Sequence, residues 1–176
     1  MTPTRRPKAA RPATTDHSTT FRPRIVLPPG LTIVVDTREQ NPLFSPCEWV
    51  VRKKLDVGDY SIVGFESMIT VERKSLADLY GTIGQGYDRF ERELQRAIPY
   101  RWKGLVIESD ETDCYNSSDL YSSIHPNLVY HVLASMESNH WHIYHAKNRA
   151  RARAWILSRF IKIFQHIRQG VDYEHG

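Results

Sequence analysis

The sequence of 176 residues predicts an α/β domain, a central mixed sheet with helices packed on its faces. Three observations carry that expectation. Short runs of β-branched residues crowd the first half of the chain. Beyond residue 75, segments with helical spacing alternate with such runs. The balance of 40% apolar to 25% charged residues is that of a globular domain, not of a collagenous or wholly disordered chain. No stretch reaches the roughly 18 consecutive apolar residues that a membrane span needs. The N-terminus lacks the apolar segment of a secretory signal. Cys47 and Cys114 lie far apart and outside any Cys-x-x-Cys spacing. They argue against a disulfide framework and a zinc knuckle, and they suit a reducing compartment: the cytoplasm, with the nucleoid or nucleus.

Taken in order, Leu31 to Asp36 is a β-branched run between turn formers, so it reads as a buried strand ending in a carboxylate. Trp49 to Val51 suggests a second strand, and Asp56 to Val63, around Gly58, a third. Met68 to Lys74 is a fourth. Ser75 then has the character of a helix N-cap, with Asp78 three residues on, and a helix is expected to about Tyr80. Gly81, Gly84 and Gly86 loosen the chain. Phe90, Leu94 and Ile98 share one face of a helix from Tyr87 that stops at Pro99. Gly104 to Glu108 is a buried strand, and Asp110, Glu111 and Asp113 read as a solvated loop. Leu128, Val132 and Met136 are in register on a helix to Ser138, and Trp141 to Tyr144 is a strand. Ile156, Phe160, Ile163 and Ile167 mark the buried stripe of the last helix.

Charge is unevenly placed. Residues 1–30 carry Arg5, Arg6, Lys8, Arg11, Arg22 and Arg24 against Asp16 alone, and the rest of the chain is nearly neutral. Six prolines in the same segment keep it extended. Such an arm either gains affinity for polyanions through counterion release or serves only as a solubilising tail. A second basic region lies in the last helix. From Lys147 to Gln169 there are seven lysines and arginines, Arg149, Arg151 and Arg153 among them, and no acid. A solvated helix face and a phosphate-facing one both fit.

Chemistry concentrates at Asp59 and at Glu72-Arg73-Lys74. Side chains alternate along a strand, so Glu72 and Lys74 share a face and Arg73 points the other way. Two carboxylates and a backbone carbonyl suffice for Mg²⁺, which prefers oxygen ligands and keeps several waters. A metal so held polarises a phosphoryl oxygen and sharpens a bound water, and an adjacent lysine orients that water or offsets charge on phosphate. An Asp…Glu-x-Lys pattern alone is weak, and a surface ion pair explains it as well.

The surroundings are more specific. Val35-Asp36-Thr37-Arg38-Glu39, then Gly58-Asp59-Tyr60, then Val71-Glu72-Arg73-Lys74-Ser75-Leu76-Ala77-Asp78-Leu79 occur in that order. The combination resembles the nuclease domain of the XPF/ERCC-type structure-specific endonucleases, whose signature reads Gly-Asp, a gap, then Glu-Arg-Lys-x-x-x-Asp. The likeness is strong from Leu31 to Leu79 and looser to the last helix. It implies a restriction-endonuclease-like α/β/α sandwich over residues 31–170, between the basic tail 1–30 and a short tail 171–176. It also implies Mg²⁺- or Mn²⁺-dependent phosphodiester hydrolysis on branched, flap or junction DNA. Asp59 and Glu72 match the metal-binding acids, with the Arg73 carbonyl as a third ligand, and Lys74 matches the catalytic lysine. Asp36 and Glu39 match the acids of the first motif, which line the same site and serve a second metal or the water. Arg73 and Asp78 match the remaining positions. Asp78 also completes a capping box with Ser75, and Arg73 is placed to brace the site through an acid. Arg38 and Arg89 either contact phosphate or pair with Glu39 or Asp88.

Family members commonly carry a tandem helix-hairpin-helix module after the nuclease domain, and no such segment follows the last helix here. The resemblance therefore leaves dimerisation and the grip on DNA to a partner subunit, to self-association, or to the two basic regions. His140, His142 and His145 do not have a persuasive zinc spacing. Trp49, Trp102, Trp141 and Trp155 read as core, and the glycines at 81, 84 and 86 lack the spacing of a nucleotide-binding loop. The expectation is a Mg²⁺-dependent DNA endonuclease. The alternatives are a noncatalytic DNA-binding scaffold with the same fold, which the intact acids and lysine disfavour, and an RNA nuclease.

Overall fold

The computed structural model describes residues 26–116 and 124–172. Six strands form one sheet in the order β2-β1-β3-β4-β5-β6: β1 Ile33–Val35, β2 Val50–Arg52, β3 Tyr60–Ile62, β4 Ile69–Lys74, β5 Trp102–Ile107 and β6 Trp141–His145. β1 runs parallel to β2 and antiparallel to β3, and β3 is antiparallel to β4. β4, β5 and β6 are mutually parallel, with Glu72 opposite Leu105 and Lys74 opposite Ile107. The sheet is mixed, as expected. The helices are α1 Leu76–Ile83, α2 Tyr87–Ala97, α3 Glu111–Asn116, α4 Pro126–Ser138 and α5 Arg149–Gln169.

β5 is buried at every position, so its alternation feeds two cores. Trp102 and Val106 join Ile33, Val35, Ile69 and Val71 beneath Ile156, Phe160 and Ile163 of α5. Leu105 and Ile107 join Leu79, Ile83, Phe90, Val129 and Leu133 of helices α1, α2 and α4 on the opposite face. The result is an α/β/α sandwich. Among the described residues, no helix is long and apolar enough to cross a membrane. The basic arm expected over residues 1–30 lies outside the described residues except for 26–30.

Two local expectations need correction. The helix expected to end near Tyr80 continues to Ile83, because Gly81 is exposed on its outer side while Leu79, Tyr80, Thr82 and Ile83 are buried. Tertiary burial outweighs the weak helix propensity of one glycine. The segment read as a solvated acidic loop is α3. Glu111 and Asp113 lie in its first turn, where the helix dipole favours negative charge. Cys114 is buried beneath it and its carbonyl accepts from the Tyr80 hydroxyl at 2.8 Å.

Two features fix the sheet end where the parallel strands finish. The first is Asp36, just past β1 and 1% exposed. Its Oδ1 accepts from the Arg38 amide and Nε, and its Oδ2 from Arg38 Nη2 and the Leu55 amide, at 2.6–3.0 Å. Burial pushes the Asp36 carboxyl up, but these donors outweigh it and hold the group below its ordinary value. The second is Gly58, at φ +74°. A Cβ there would collide with Thr70 Oγ1 and come within 2.9 Å of the Val71 carbonyl. Thr70 cannot yield easily, because its hydroxyl donates to the Val57 carbonyl at 2.9 Å.

Two outcomes follow for stability. Gly58→Ala should cost about 1–3 kcal/mol from the backbone conformation alone, with the collision added, measured by urea unfolding. Asp36→Asn should cost about 2–3 kcal/mol at neutral pH through lost charge-assisted hydrogen bonds. Because the folded carboxyl titrates below the unfolded one, its contribution is present above the ordinary carboxylate range. It is lost as pH falls through that range and below it. Wild type and Asp36→Asn should therefore converge in stability in acid; a gap that persists there contradicts the assignment.

Candidate active site

An open basin of about 1010 Å³ lies at the carboxyl ends of β4 and β5. This is where open α/β sheets present ligands, because the chain turns away and leaves strand-end side chains uncovered. Glu39, Asp59, Glu72, Lys74 and Asp78 line it, and so do Arg73 and Glu108. The groups that the sequence places on separate segments therefore meet in one cavity.

Glu72 and Lys74 share the face of β4 toward α2, as strand alternation requires. Lys74 Nζ donates to Glu72 Oε1 at 2.8 Å, and the ammonium sits 5.3 Å from the centroid of the Phe90 ring. Asp59 precedes β3. Its amide donates to the Val71 carbonyl, its carbonyl accepts from the Asp36 amide, and its Oδ2 accepts from the Arg73 amide at 2.8 Å. The Asp59 carboxyl is pushed well up, first by burial and then by the charge of Glu72. Burial also raises Glu72, against the pull of Lys74. Burial works against the Lys74 charge too, but Glu72 more than offsets it and the ammonium is held above its ordinary value. Two crowded carboxylates that disfavour their own charge form a site that a cation would relax.

Arg73 points to the other face, toward α5. Its Nε donates to Glu108 at 2.9 Å and its Nη1 to Glu39 at 3.1 Å. All three side chains are about one-tenth exposed. Glu39 Oε1 also accepts from the Asn41 amide at 2.7 Å. Arg73 thus braces the site through two acids. Ser75 caps α1: its hydroxyl accepts from the Asp78 amide at 3.1 Å and donates to Asp78 Oδ2 at 2.7 Å. Asp78 is engaged as a capping residue while also lining the basin.

The remaining residues divide. Asp36 does not line the basin, and its oxygens are occupied by Arg38 and Leu55. Arg38 pairs with Asp36, not with Glu39 or Asp88, because Asp36 is two residues away and buried; its Nη2 also donates to the Leu55 carbonyl at 2.8 Å. Its side chain stays 61% exposed and reaches the basin rim. Arg89 lines the basin from α2. Arg149 lines it from α5 and donates to the Asn41 carbonyl and side chain and to the Pro42 carbonyl at 2.9–3.2 Å. Arg151 is exposed, and Arg153 lies over the Phe44 ring at 5.6 Å, away from the basin.

Two acids went unnoticed in the sequence. Glu108 directly follows β5, two residues past Val106, and continuing the strand alternation puts it on the Arg73 face, a signal that was available. Glu93 on α2 raises the pKa of both Glu72 and Lys74 through its charge. Only the packing of α2 brings it there. No group of three or more His, Cys, Asp or Glu side chains with metal-site geometry occurs among the described residues, which includes the histidines of β6. His142 instead stacks on Trp102, with ring centroids 5.2 Å apart.

The chain resembles two solved structures: XPF from Aeropyrum pernix (TM-score 0.54) and the same protein in complex with DNA (TM-score 0.56). Sequence identity is 18% in both, and the alignments cover 76% and 77% of this chain. They span 65% of the length of the Aeropyrum pernix chain in each case. No curated protein matches the sequence. The ERCC4 domain model matches residues 35–158, from the end of β1 into α5, and so takes in every side chain that lines the basin. By fold and by that match, the chain belongs to the ERCC4 domain family.

Proposed function

We propose that the protein is a metal-dependent DNA endonuclease that hydrolyses phosphodiester bonds in branched, flap or junction DNA. The observation that carries this reading is the meeting of Asp59, Glu72 and Lys74 in one open basin. Family membership and the DNA complex of the Aeropyrum pernix protein support it.

The donor set suits Mg²⁺ or Mn²⁺. Two crowded carboxylates whose charged forms burial disfavours, with the Arg73 carbonyl directly after Glu72 in sequence, match a hard cation that takes few protein oxygens and completes its shell with water and phosphate. When bound, the cation supplies Lewis acidity and an acidified water. The chain's own residues do the rest. Asp59 is fixed by the Arg73 amide, so its free oxygen faces the basin in one orientation. Lys74 presents an ammonium steadied by Glu72 and Phe90, where it offsets charge that develops on the phosphate. Arg73, locked by Glu39 and Glu108, keeps the strand end from shifting. Glu39 and Asp78 add acid to the rim, and Asp36 acts at one remove by fixing Arg38.

The test uses flap, fork and plain duplex DNA with Mg²⁺, with Mn²⁺ and with EDTA. Metal-dependent cutting of the junction substrates is expected, and Glu72→Gln and Lys74→Ala should each lower it by at least about 10²-fold. Binding without cleavage in either metal would instead support a noncatalytic scaffold, and cleavage confined to RNA would move the substrate class.

A second outcome concerns the brace. Glu108→Gln weakens one of the two anchors of the Arg73 guanidinium. It should reduce kcat by about 10-fold or more, as outer-shell changes do, with KM for DNA nearly unchanged. An equal rise in KM with kcat intact would make Glu108 a substrate-binding group instead.

A further inference from the structure

The candidate site has little net charge to attract DNA. Five acids and five bases line it, and two of those bases, Arg73 and Lys74, are engaged by acids within it. Cations beside it would add the attraction for a polyanion that a balanced lining does not supply.

A second basin of about 530 Å³ opens beside the first, and Arg38 lines both. Its charged lining comes from three segments: Arg38 beyond β1, the loop carrying Lys54 and Asp56 beyond β2, and Arg96 in the last turn of α2; Ser67 before β4 and Pro99 and Tyr100 before β5 complete it. Lys54 and Arg96 are exposed, and neither makes a hydrogen bond or ion pair with another described residue. That distinguishes them from the arginines of α5, several of which are spent on carbonyls and rings. Asp56 is the one acid among the lining residues. Asp56 and Arg96 both act on the Tyr100 hydroxyl, with opposite sign, so these charges converge on one wall of the basin. Three cations against one anion, two of the cations without partners, form a concave positive surface that shares Arg38 with the candidate site.

We propose that this second basin holds the phosphodiester backbone of the DNA whose scissile bond lies in the candidate site. Lys54 and Arg96 are the phosphate contacts, and Arg38 is the wall shared by the two basins. The inference rests on the nuclease reading and extends it to a substrate track. Charge complementarity selects the occupant. A cation without a protein partner gives up no ion pair when it meets phosphate, and release of the counterions condensed on DNA is the main source of affinity at such contacts. Lys54 supplies a point charge, and Arg96 a planar fork that fits two phosphate oxygens.

The experiment measures DNA binding by fluorescence anisotropy as a function of salt. The full chain carries Glu72→Gln, in EDTA, so that no strand is cut. Its ligands are a short labelled single strand and the matching duplex. Adding Lys54→Ala and Arg96→Ala together should weaken binding. It should also make the slope of log K against log salt shallower by about 1.8 on duplex or about 1.4 on single strand. The ligand that shows the loss identifies the form of DNA in the track. A charge-matched control, Lys53→Ala with Arg101→Ala, removes two cations whose partners are Glu66 and Asp172, outside the basin. It should leave the slope steeper than the test pair does. An unchanged slope for Lys54→Ala with Arg96→Ala, or an equal loss in the control, overturns the track. If the wild-type chain cuts DNA in either case, the nuclease reading stands. A chain that neither binds nor cuts DNA overturns both.

Discussion

The site depends on holding two carboxylates together that would rather separate. Asp59 and Glu72 are buried near one another, and each raises the cost of charging the other or shares in that cost. Left to themselves, such groups would rotate apart or take up protons. Arg73 prevents the first. Its amide fixes Asp59 from within the sheet, and its guanidinium is clamped by Glu39 and Glu108 on the far face. One residue therefore ties the segment after β1, the turn before β3, and the ends of β4 and β5 into a single rigid edge. Lys74 eases the second problem, because its ammonium compensates Glu72 directly. The adjacent positions 72, 73 and 74 thus do different jobs for a simple reason: strand alternation sends two of them into the basin and one into the scaffold.

Much of this edge was legible in the sequence. Alternation along β4 places Glu72 and Lys74 together and Arg73 opposite with no tertiary information. Ser75 followed three residues later by Asp78 announces the start of α1, and the structure has that cap. Gly58 marks the turn that delivers Asp59. The order of the motifs gives the fold class, and the buried runs give the strands to within a residue or two, except that β3 starts at Tyr60, four residues later than expected. What local pattern cannot supply is the identity of partners brought in from far along the chain. Arg73 meets Glu39 across 34 positions and Glu108 across 35, and Arg149 reaches Asn41 across 108. Nothing in the spacing of Val35-Asp36-Thr37-Arg38 says that Asp36 folds inward onto its own Arg38 and onto Leu55. The reading of Asp110, Glu111 and Asp113 as a solvated loop was right about exposure at Glu111 and Asp113, but residues 111–113 are helical, with Cys114 of the same helix buried and its carbonyl bonded to Tyr80.

The basic last helix shows how charge counts mislead. Its six lysines and arginines with no acid suggest a surface waiting for phosphate. In the fold, Arg149 secures the loop at Asn41 and Pro42, Arg153 covers Phe44, Arg159 covers Trp155, and Arg168 donates to the Pro29 carbonyl. Long side chains with apolar stems serve as struts and lids as well as charges. A cation bonded to neutral carbonyls keeps its charge, so the helix still contributes to the field around the molecule. Its arginines are, however, less free to reorganise around a ligand than cations without partners.

The proposed track rests on that difference. A site that must gather a cation needs acids, and acids repel the substrate backbone before the cation arrives. Screening confines the repulsion to about 10 Å at moderate salt, so the remedy has to lie close to the acids but not among them. The chain meets this constraint by giving one residue two neighbourhoods. Arg38 is anchored by Asp36 at the buried end of β1, and its exposed guanidinium borders the candidate site on one side and the basic basin on the other. Asp36, expected to line the site and serve a second metal or the water, instead fixes the residue that forms the wall between the two basins.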